Sequence, residues 1–292
     1  MIWQNDYVLY DANKHMGDGK FGKGQSERLS IHKTETGGPL EIFHKLAKEH
    51  DASVKQATKN IKTVLENMYP KHEFRIRPTL HKSEINKRLN ELDKRLGVEL
   101  FVNGYIMPES GLLEIKDKSE QWRLLLIGEA KFQGKDIQHI EHGFRTDTVK
   151  QMGKFTMGAG NVVERGFKNI VEVQNYMMAE RYFPYVLLCY GSNFLTEELV
   201  LDWPGDEKSS PQEVKLSPSD GSLNRIDRMS AANYGMGVNQ NLCRNIILED
   251  GTKLQPMSMY VSHSAFSMKT IMEIFMTITE TSIEVLTEEK QL

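Results

Sequence analysis

The stretch PESGLLEIKDKSEQWRLLLIGEAK, residues 108–131, decides the fold. Its two apolar runs, 112–116 and 122–128, are separated by a short polar segment, which is typical of an antiparallel β-hairpin. Both runs are short and bounded by Gly, Pro or charged residues, so strands are a better interpretation than helices. We expect the turn of this hairpin near Ser119.

The register of this hairpin predicts a cluster of charged side chains at its open end. The expected turn pairs Leu112 with Leu126 and sets Glu109 opposite Glu129. Directly opposed residues on antiparallel strands have Cβ atoms about 4.5–5.5 Å apart. Lys131 lies two residues beyond Glu129 and therefore on the same face of the strand. A slip of one residue would spoil this arrangement, and a loop of this length does not fix the register.

Glu109, Glu129 and Lys131 form a pattern that suits a metal ion. Two crowded carboxylates repel, and each raises the pKa of the other, unless a cation lies between them. Mg²⁺ favours oxygen ligands, usually one or two carboxylates with waters and a substrate phosphate. A neighbouring lysine can position or activate a water against phosphorus, so the pattern predicts a metal-dependent phosphodiesterase. From the spacing alone, ordinary exposed charges at two strand ends are the alternative.

The rest of the chain alternates strands with long helices, which indicates an α/β domain. Apolar residues at helical spacing predict helices over 54–68 and 83–96, the second closed by Gly97. Longer helices are predicted over 161–182 and from 268 towards 286. Further strands are predicted at 98–102, 185–190 and 257–262, and residues 202–220 are predicted as an exposed loop.

The composition is that of a soluble globular protein. The chain has 292 residues, of which 39% are hydrophobic and 26% charged, and this excludes a fibrous or mostly disordered chain. We expect a Gly- and Lys-rich flexible arm over 1–38 and a single domain over 39–292. Two cysteines form neither a disulfide framework nor a zinc pattern. Without a signal peptide or a run of about 20 apolar residues, we expect a cytoplasmic protein with no membrane partner.

Charge is distributed unevenly along the chain. Residues 1–168 carry 28 basic and 23 acidic side chains, whereas residues 169–292 carry 9 and 17. A basic half suggests a surface that faces a polyanion such as nucleic acid. Many enzymes have a basic half without binding nucleic acid, so this asymmetry decides nothing by itself.

Several long strings resemble one family of nucleases. They are GEAKFQGKDI (128–137), MGAGNVVERGFKNI (157–170), FPYVLLCYGSNFLTE (183–197) and LNRIDRMSAANYGM (223–236), followed by NQNLC (239–243). Their order and spacing are similar to those of the EcoRI-like type II restriction endonucleases, members of the PD-(D/E)xK nuclease superfamily. The resemblance implies a central mixed β-sheet flanked by helices, with arms that embrace DNA. It also implies a homodimer that uses Mg²⁺ to cut both strands of double-stranded DNA at a short palindrome.

The resemblance assigns roles to the charged cluster. Glu129 and Lys131 match the Glu-x-Lys pair of the family, and the carbonyl of Ala130 is implied as a further metal ligand. Glu109 stands where the family has Asp, which is one methylene shorter, and Mg²⁺ tolerates little distortion of its ligands. We expect a working site, because nucleases of this superfamily mix Asp and Glu at metal positions.

A strip of small residues before the long helix is implied to read DNA bases. Small residues allow the backbone to approach the major groove, and an asparagine can hydrogen bond to adenine N6 and N7. In the relatives, this strip and the start of the helix read the inner AATT bases, although Gly158 and Val162 replace alanines here. From the residues alone, the strip is an ordinary loop before a helix. The reading residues are Met157, Gly158, Ala159, Gly160, Asn161, Val162, Glu164 and Arg165.

Four further residues are implied to touch DNA or to support the site. Arg225 and Arg228 match a second reading element, and an arginine fork suits guanine O6 and N7 or a phosphate. Their alternative is a solvated face paired with Asp227. Gln133 and Lys135 follow the catalytic strand.

Three functions are open on the sequence. The favoured one is a type II restriction endonuclease that cuts GAATTC, leaves 5′-phosphates and four-base 5′ overhangs, and is paired with a separate DNA methyltransferase. The second is a sequence-specific DNA-binding protein that no longer cuts, with Glu109 marking a decayed metal site. The third is a nuclease for structured or damaged nucleic acid, which would cut without regard to sequence.

Overall fold

The computed structural model describes residues 45–97, 104–134, 136–141, 160–205, 210–218, 223, 226–227 and 237–292. The chain divides into two compact units, Met1–Lys48 and Glu49–Leu292. The predicted arm over 1–38 lies outside the described residues, as does the predicted strand at 98–102. The predicted boundary between residues 38 and 39 therefore stays a prediction.

The described elements alternate helices and strands along the chain. In order they are α1 (Lys45–Met68), β1 (Phe74–Arg77), β2 (Leu80–His81), α2 (Lys82–Leu92), β3 (Tyr105–Ile106), β4 (Leu112–Lys116), β5 (Trp122–Phe132), α3 (Asp136–Glu141), α4 (Gly160–Tyr176), β6 (Tyr185–Tyr190), a 3₁₀ turn (Ser192–Phe194), β7 (Leu199–Trp203), β8 (Gln212–Leu216), β9 (Gly237–Val238), β10 (Ile246–Ile247), β11 (Lys253–Leu254), β12 (Ser258–Ser262) and α5 (Met268–Glu288).

Six strands form a central sheet in the order β1-β4-β5-β6-β12-β9. The pairs β1–β4 and β4–β5 are antiparallel, whereas β5–β6, β6–β12 and β12–β9 are parallel. Parallel strands with helices on both faces are buried on both sides, and their sequences are then continuously apolar. The run YVLLCY of β6 is buried throughout. The predicted central mixed sheet flanked by helices is confirmed.

Helices cover both faces of the sheet beside β5. On one face, Phe275 of α5 packs so closely on Gly128 that a Cβ there would come within 2.4 Å of the Phe275 ring. Asn169 of α4 donates a hydrogen bond to Glu129 at 2.9 Å. Because successive residues of a strand point to opposite faces, α5 and α4 lie on opposite sides of β5.

The hairpin of β4 and β5 forms as predicted, but its register changes partway along. Glu114 pairs with Leu124, whereas Leu113 pairs with Leu126, so Leu125 is the extra residue of a β-bulge. The predicted pairing of Leu112 with Leu126 is wrong. A bulge adds one residue to one strand and re-aims the side chains that follow.

Two predicted helices end earlier than expected. The helix expected over 161–182 ends at Tyr176, because the chain turns there and Tyr182 reaches the Leu124 carbonyl at 2.6 Å. The helix expected over 83–96 ends at Leu92. The next residue, Asp93, has an extended conformation and forms an ion pair with Arg95. Leu92 and Leu96 are therefore exposed rather than part of a core stripe.

The predicted loop over 202–220 is also partly wrong. Residues Gln212–Leu216 form a strand that pairs with β7 as an antiparallel hairpin. Trp203 and Leu216 are fully buried in a small second core with Ile140 of α3.

Among the described residues, no helix combines the length and apolar character that a bilayer span requires.

Candidate active site

Strand β5 carries two of the predicted catalytic residues into the centre of the sheet. It continues to Phe132, four residues beyond the predicted end, so Glu129, Ala130 and Lys131 are strand residues. Glu129 pairs with Leu187 of β6, and Lys131 pairs with Cys189. This register places both charged residues near the carboxyl ends of two parallel strands, where α/β proteins commonly bind their ligands.

Glu109 reaches the same place from a turn rather than from a strand. The Gly111 N–H donates to the Pro108 carbonyl at 2.9 Å, which closes a β-turn around Glu109 and Ser110. Gly111 has φ of 71°, and a Cβ at this position would lie 2.9 Å from the Arg77 carbonyl oxygen. A glycine is therefore required at the end of this turn.

The three predicted catalytic side chains are in contact. Lys131 Nζ lies 3.3 Å from Glu109 Oε1 and also forms an ion pair with Glu129 Oε1. It lies 3.0 Å from the Ala130 carbonyl oxygen. The Glu129 side chain is 1% exposed, so the cluster is largely screened from solvent. The structure therefore brings together the three expected metal ligands and the expected catalytic lysine.

The charges of this cluster perturb one another. Burial and the adjacent Glu129 carboxylate raise the pKa of Glu109 to about 9, and without a metal the two carboxyl groups can share a proton. Burial opposes the charge on Lys131, but the Glu129 and Glu109 carboxylates outweigh burial and raise the pKa of the amine. Lys131 is therefore an ammonium group, which donates hydrogen bonds and accepts none.

The cluster also has the oxygen atoms that a divalent cation needs. Glu109 Oε2 and Glu129 Oε2 are buried and make no hydrogen bond. Buried carboxylate oxygens without a partner are unfavourable, and a cation would satisfy both. No group of three or more His, Cys, Asp or Glu side chains suits a metal among the described residues. A cation here would accordingly be held by two carboxylates, the Ala130 carbonyl and water, which is a ligand set typical of Mg²⁺.

Three residues that the sequence did not predict lie at the same site. Asn169 of α4 donates to Glu129 Oε1 at 2.9 Å. Asp51 of α1 interacts electrostatically with Lys131 and Glu129, and burial raises its pKa. The Tyr185 hydroxyl is buried without a hydrogen-bond partner, and burial and the two glutamates raise its pKa. A single asparagine or aspartate within a helical pattern gives no signal of such a role.

Gln133 is held where the loops after β5 and β6 cross. Its N–H donates to the Tyr190 carbonyl at 2.9 Å, and its own carbonyl accepts from the Asn193 N–H at 3.2 Å. Gly191 has φ of 129°, and a Cβ there would lie 2.1 Å from the Gln133 carbonyl oxygen. The loop geometry thus places Gln133 at the same edge of the sheet as the carboxylate cluster.

The described residues include half of the twelve residues predicted to contact DNA. Met157, Gly158, Ala159, Lys135, Arg225 and Arg228 lie outside the described residues. For Gly160, Asn161, Val162, Glu164 and Arg165 the helical backbone of α4 is described. Their roles in reading DNA therefore stay predictions.

Comparison with known proteins identifies a family with this site. The sequence model described as restriction endonuclease EcoRI matches residues 36–291. The type II restriction enzyme EcoRI of Escherichia coli is 42% identical over 270 residues, covering 90% of this chain and 95% of that protein. The type II restriction enzyme RsrI of Cereibacter sphaeroides is 37% identical over 272 residues, covering 92% and 96%. The resemblance seen in the sequence is confirmed, and the chain belongs to the EcoRI family of restriction endonucleases.

Proposed function

We propose that this protein cuts both strands of GAATTC as a Mg²⁺-dependent homodimer, leaving 5′-phosphates and four-base 5′ overhangs. One observation carries the metal-dependent part of the proposal. Two carboxylates, Glu109 and Glu129, each keep one buried oxygen without a hydrogen bond beside the ammonium group of Lys131. The sequence GAATTC comes from the resemblance of the strip 157–165 to the reading strip of the family.

The residues of the site have different roles in phosphodiester hydrolysis. Glu109, Glu129 and the Ala130 carbonyl would hold Mg²⁺, which supplies positive charge against the charge that develops on the phosphate oxygens. Lys131 is placed between the two carboxylates, where its N–H groups can orient a water and the scissile phosphate. In-line attack by that water breaks the bond between phosphorus and the 3′ oxygen. One fragment then carries a 5′-phosphate, and the other ends in a 3′-hydroxyl.

The symmetry of the palindromic DNA site supports a homodimer. A palindrome presents the same bases on both strands, related by a two-fold axis. The described residues of one copy contain one such carboxylate cluster, so cutting both strands at symmetric positions calls for two copies related by the same axis. We also expect a separate DNA methyltransferase, because an endonuclease of this specificity would otherwise cut the DNA of its own host.

Digestion of a plasmid of known sequence tests the proposal. The protein should give discrete fragments with Mg²⁺ and none with EDTA, and sequencing of the fragment ends should show breaks within GAATTC. A plasmid lacking that sequence is the control. Specific binding without cleavage, even in Mn²⁺, would instead favour the decayed binding protein, and cleavage at every sequence would favour the non-specific nuclease.

A further inference from the structure

We propose that Asn169 is a positioning residue, which holds the Glu129 carboxylate for metal binding and ties it to the DNA-reading helix. This inference rests on the proposed metal-dependent cleavage. Asn169 lies on α4, and its Nδ2 donates to Glu129 Oε1 at 2.9 Å. A carboxylate only accepts hydrogen bonds, so the amide nitrogen of Asn169, rather than its oxygen, must face Glu129.

The contact decides which oxygen of Glu129 is available. Glu129 Oε1 accepts from both Asn169 and Lys131, whereas Oε2 makes no hydrogen bond and is buried. Two donors on one oxygen fix the rotation of the carboxylate group about its last bond. The second oxygen is therefore kept free for the cation. Partners that hold a metal-binding carboxylate in this way commonly change metal affinity or activity by about 10–100-fold when they are removed.

Lys131 alone would not fix the carboxylate. Its ammonium group is shared among Glu129, Glu109 and the Ala130 carbonyl. Three rotatable donors on a flexible stem can follow any of these acceptors. Asn169 comes from a different element, α4, and donates to the same oxygen of Glu129, so it restricts a motion that Lys131 permits.

The helix gives this contact a second consequence. Helix α4 begins at Gly160, in the strip expected to read the bases, and continues without a break to Tyr176. Ile170 and Val173 of the same helix are fully buried against the core. A helix held in this way moves as a rigid body, so the placement of its first turns on DNA and the placement of Asn169 change together. On a wrong sequence, the first turns of α4 would be misplaced on the DNA. The hydrogen bond from Asn169 that orients Glu129 would then be lost.

Asn169→Ala and Asn169→Leu test the inference, because leucine is close to asparagine in shape and cannot donate a hydrogen bond. Asn175→Ala and Asn175→Leu are the matched controls. Asn175 is also a half-buried asparagine of α4, and no contact places it at the carboxylate cluster. All four variants are compared with the unmodified protein.

Three measurements are made on each protein. The first is the Mg²⁺ concentration that gives half-maximal cleavage of a GAATTC duplex. The second is the affinity for Mn²⁺ without DNA, followed as loss of the electron paramagnetic resonance signal of free Mn²⁺. The third is the ratio of cleavage rates for GAATTC and a one-base variant, at saturating metal and at a low salt concentration.

Both Asn169 variants should need about 10–100-fold more Mg²⁺ and bind Mn²⁺ more weakly by a similar factor. Their cleavage-rate ratio should fall, since only the correct sequence benefits from the hydrogen bond. Binding of the duplex in EDTA and the thermal unfolding midpoint should match those of the Asn175 controls.

Wild-type metal affinity in the Asn169 variants would overturn the positioning role. An equal loss of rate on correct and variant sequences would overturn the link to the reading helix. Weaker DNA binding in EDTA would assign Asn169 to the phosphate backbone instead. If the unmodified protein cuts no DNA at all, the proposed function fails, and this result is distinct from each of the others.

Discussion

Ser110 and Gly128 join the two segments that carry the proposed catalytic carboxylates. The Gly128 N–H donates to Ser110 Oγ at 2.7 Å, and the Ser110 N–H donates to the Gly128 carbonyl at 3.1 Å. Ser110 directly follows Glu109, and Gly128 directly precedes Glu129. Because Ser110 is 2% exposed, water cannot replace either bond. These two hydrogen bonds therefore fix the spacing of the two segments one residue away from each carboxylate.

Ser110→Ala should destabilise the fold and slow cleavage together. The change leaves the buried Gly128 N–H without its acceptor, which costs about 1–3 kcal/mol. It also loosens the turn that positions Glu109. Urea unfolding measures the stability, and single-turnover cleavage measures the rate.

Ser258→Ala is the matched control for that variant. Ser258 is also a buried serine whose hydroxyl accepts a backbone N–H, from Leu242 at 2.6 Å, but it lies on β12. It should lose similar stability and keep its cleavage rate at a temperature where both variants are folded. Equal loss of rate in the two variants would show that Ser110 has no special relation to the site.

Glu129→Ala and Lys131→Ala should each abolish cleavage while leaving specific DNA binding intact. The first change removes a proposed metal ligand, and the second removes the ammonium group that contacts both carboxylates. Loss of a group that stabilises developing charge lowers the rate by at least about 100-fold. Cleavage in Mg²⁺ and gel-shift binding in EDTA measure the two properties.

Lys116→Ala is the control, since Lys116 is also an ion-paired lysine of the hairpin, with Glu73 and Glu120 as partners. Surface ion pairs of this kind contribute little to stability, so this variant should cut normally. Wild-type turnover in Lys131→Ala would refute the catalytic assignment.

Glu109→Asp should retain or improve activity, whereas Glu109→Gln should lose it. The family has aspartate at this position, and the carboxylate, rather than the exact length of the side chain, is the feature that a cation needs. Glutamine keeps the length and removes the charge. The cleavage rates of the two variants are measured as a function of Mg²⁺ concentration and compared with each other. Complete loss in Glu109→Asp would mean that the backbone from Pro108 to Gly111 is adjusted to the longer side chain.

The strands and the main charged contacts could be predicted because they depend on local pattern. Apolar runs bounded by Gly, Pro and charge located β4, β5 and β6, and alternation placed Glu129 and Lys131 on one face. The predicted proximity of Glu109 to Glu129 is correct, although the register used to predict it is not. The bulge at Leu125 shifts the pairing, and the turn at Pro108–Gly111 returns Glu109 to the site.

Contacts between distant segments could not be predicted from those patterns. Asn169 is 40 residues from Glu129, and its role follows from how α4 packs on the sheet. The ends of α2 and α4 likewise fall where the chain leaves the helical conformation, at Asp93 and after Tyr176. Helical spacing describes which face of a helix is apolar, and it carries little information about where the last turn ends.

The hairpin turn gives a prediction for stability at low pH. Asp117 accepts hydrogen bonds from the Ser119 and Gln121 N–H groups and from Arg123, at 2.7–2.9 Å. Burial alone would raise the pKa of Asp117, but the bonds from Ser119 and Arg123 outweigh burial and lower it to about 2. The unfolded chain has a pKa of about 3.9. The charged form therefore stabilises the fold above about pH 4, and this contribution is lost as the pH falls towards about 2.

Asp117→Asn should accordingly lower the free energy of unfolding by about 2 kcal/mol at pH 7, with a smaller difference from the unmodified protein below pH 3. Asp250→Asn is the control, because Asp250 also accepts an N–H in a turn but is fully exposed. Urea unfolding at a series of pH values measures both variants. A difference for Asp117→Asn that stays constant from pH 7 to pH 2.5 would exclude the ionised carboxylate as its cause.

Asn161→Ala should lose discrimination at one adenine of the target without losing the metal site. A bidentate contact from asparagine to adenine N6 and N7 contributes about 1–3 kcal/mol of discrimination. The ratio of cleavage rates between GAATTC and a duplex changed at that adenine should therefore fall by about 5- to 150-fold, mainly through slower cutting of GAATTC. The affinity for Mn²⁺ without DNA should stay at the wild-type value, because Asn161 lies eight residues before Asn169 on α4 and has no expected contact with Glu129. Measuring both quantities separates loss of reading, expected for Asn161, from loss of carboxylate positioning, expected for Asn169. Wild-type discrimination in Asn161→Ala would remove this residue from the reading strip and leave the metal site unaffected.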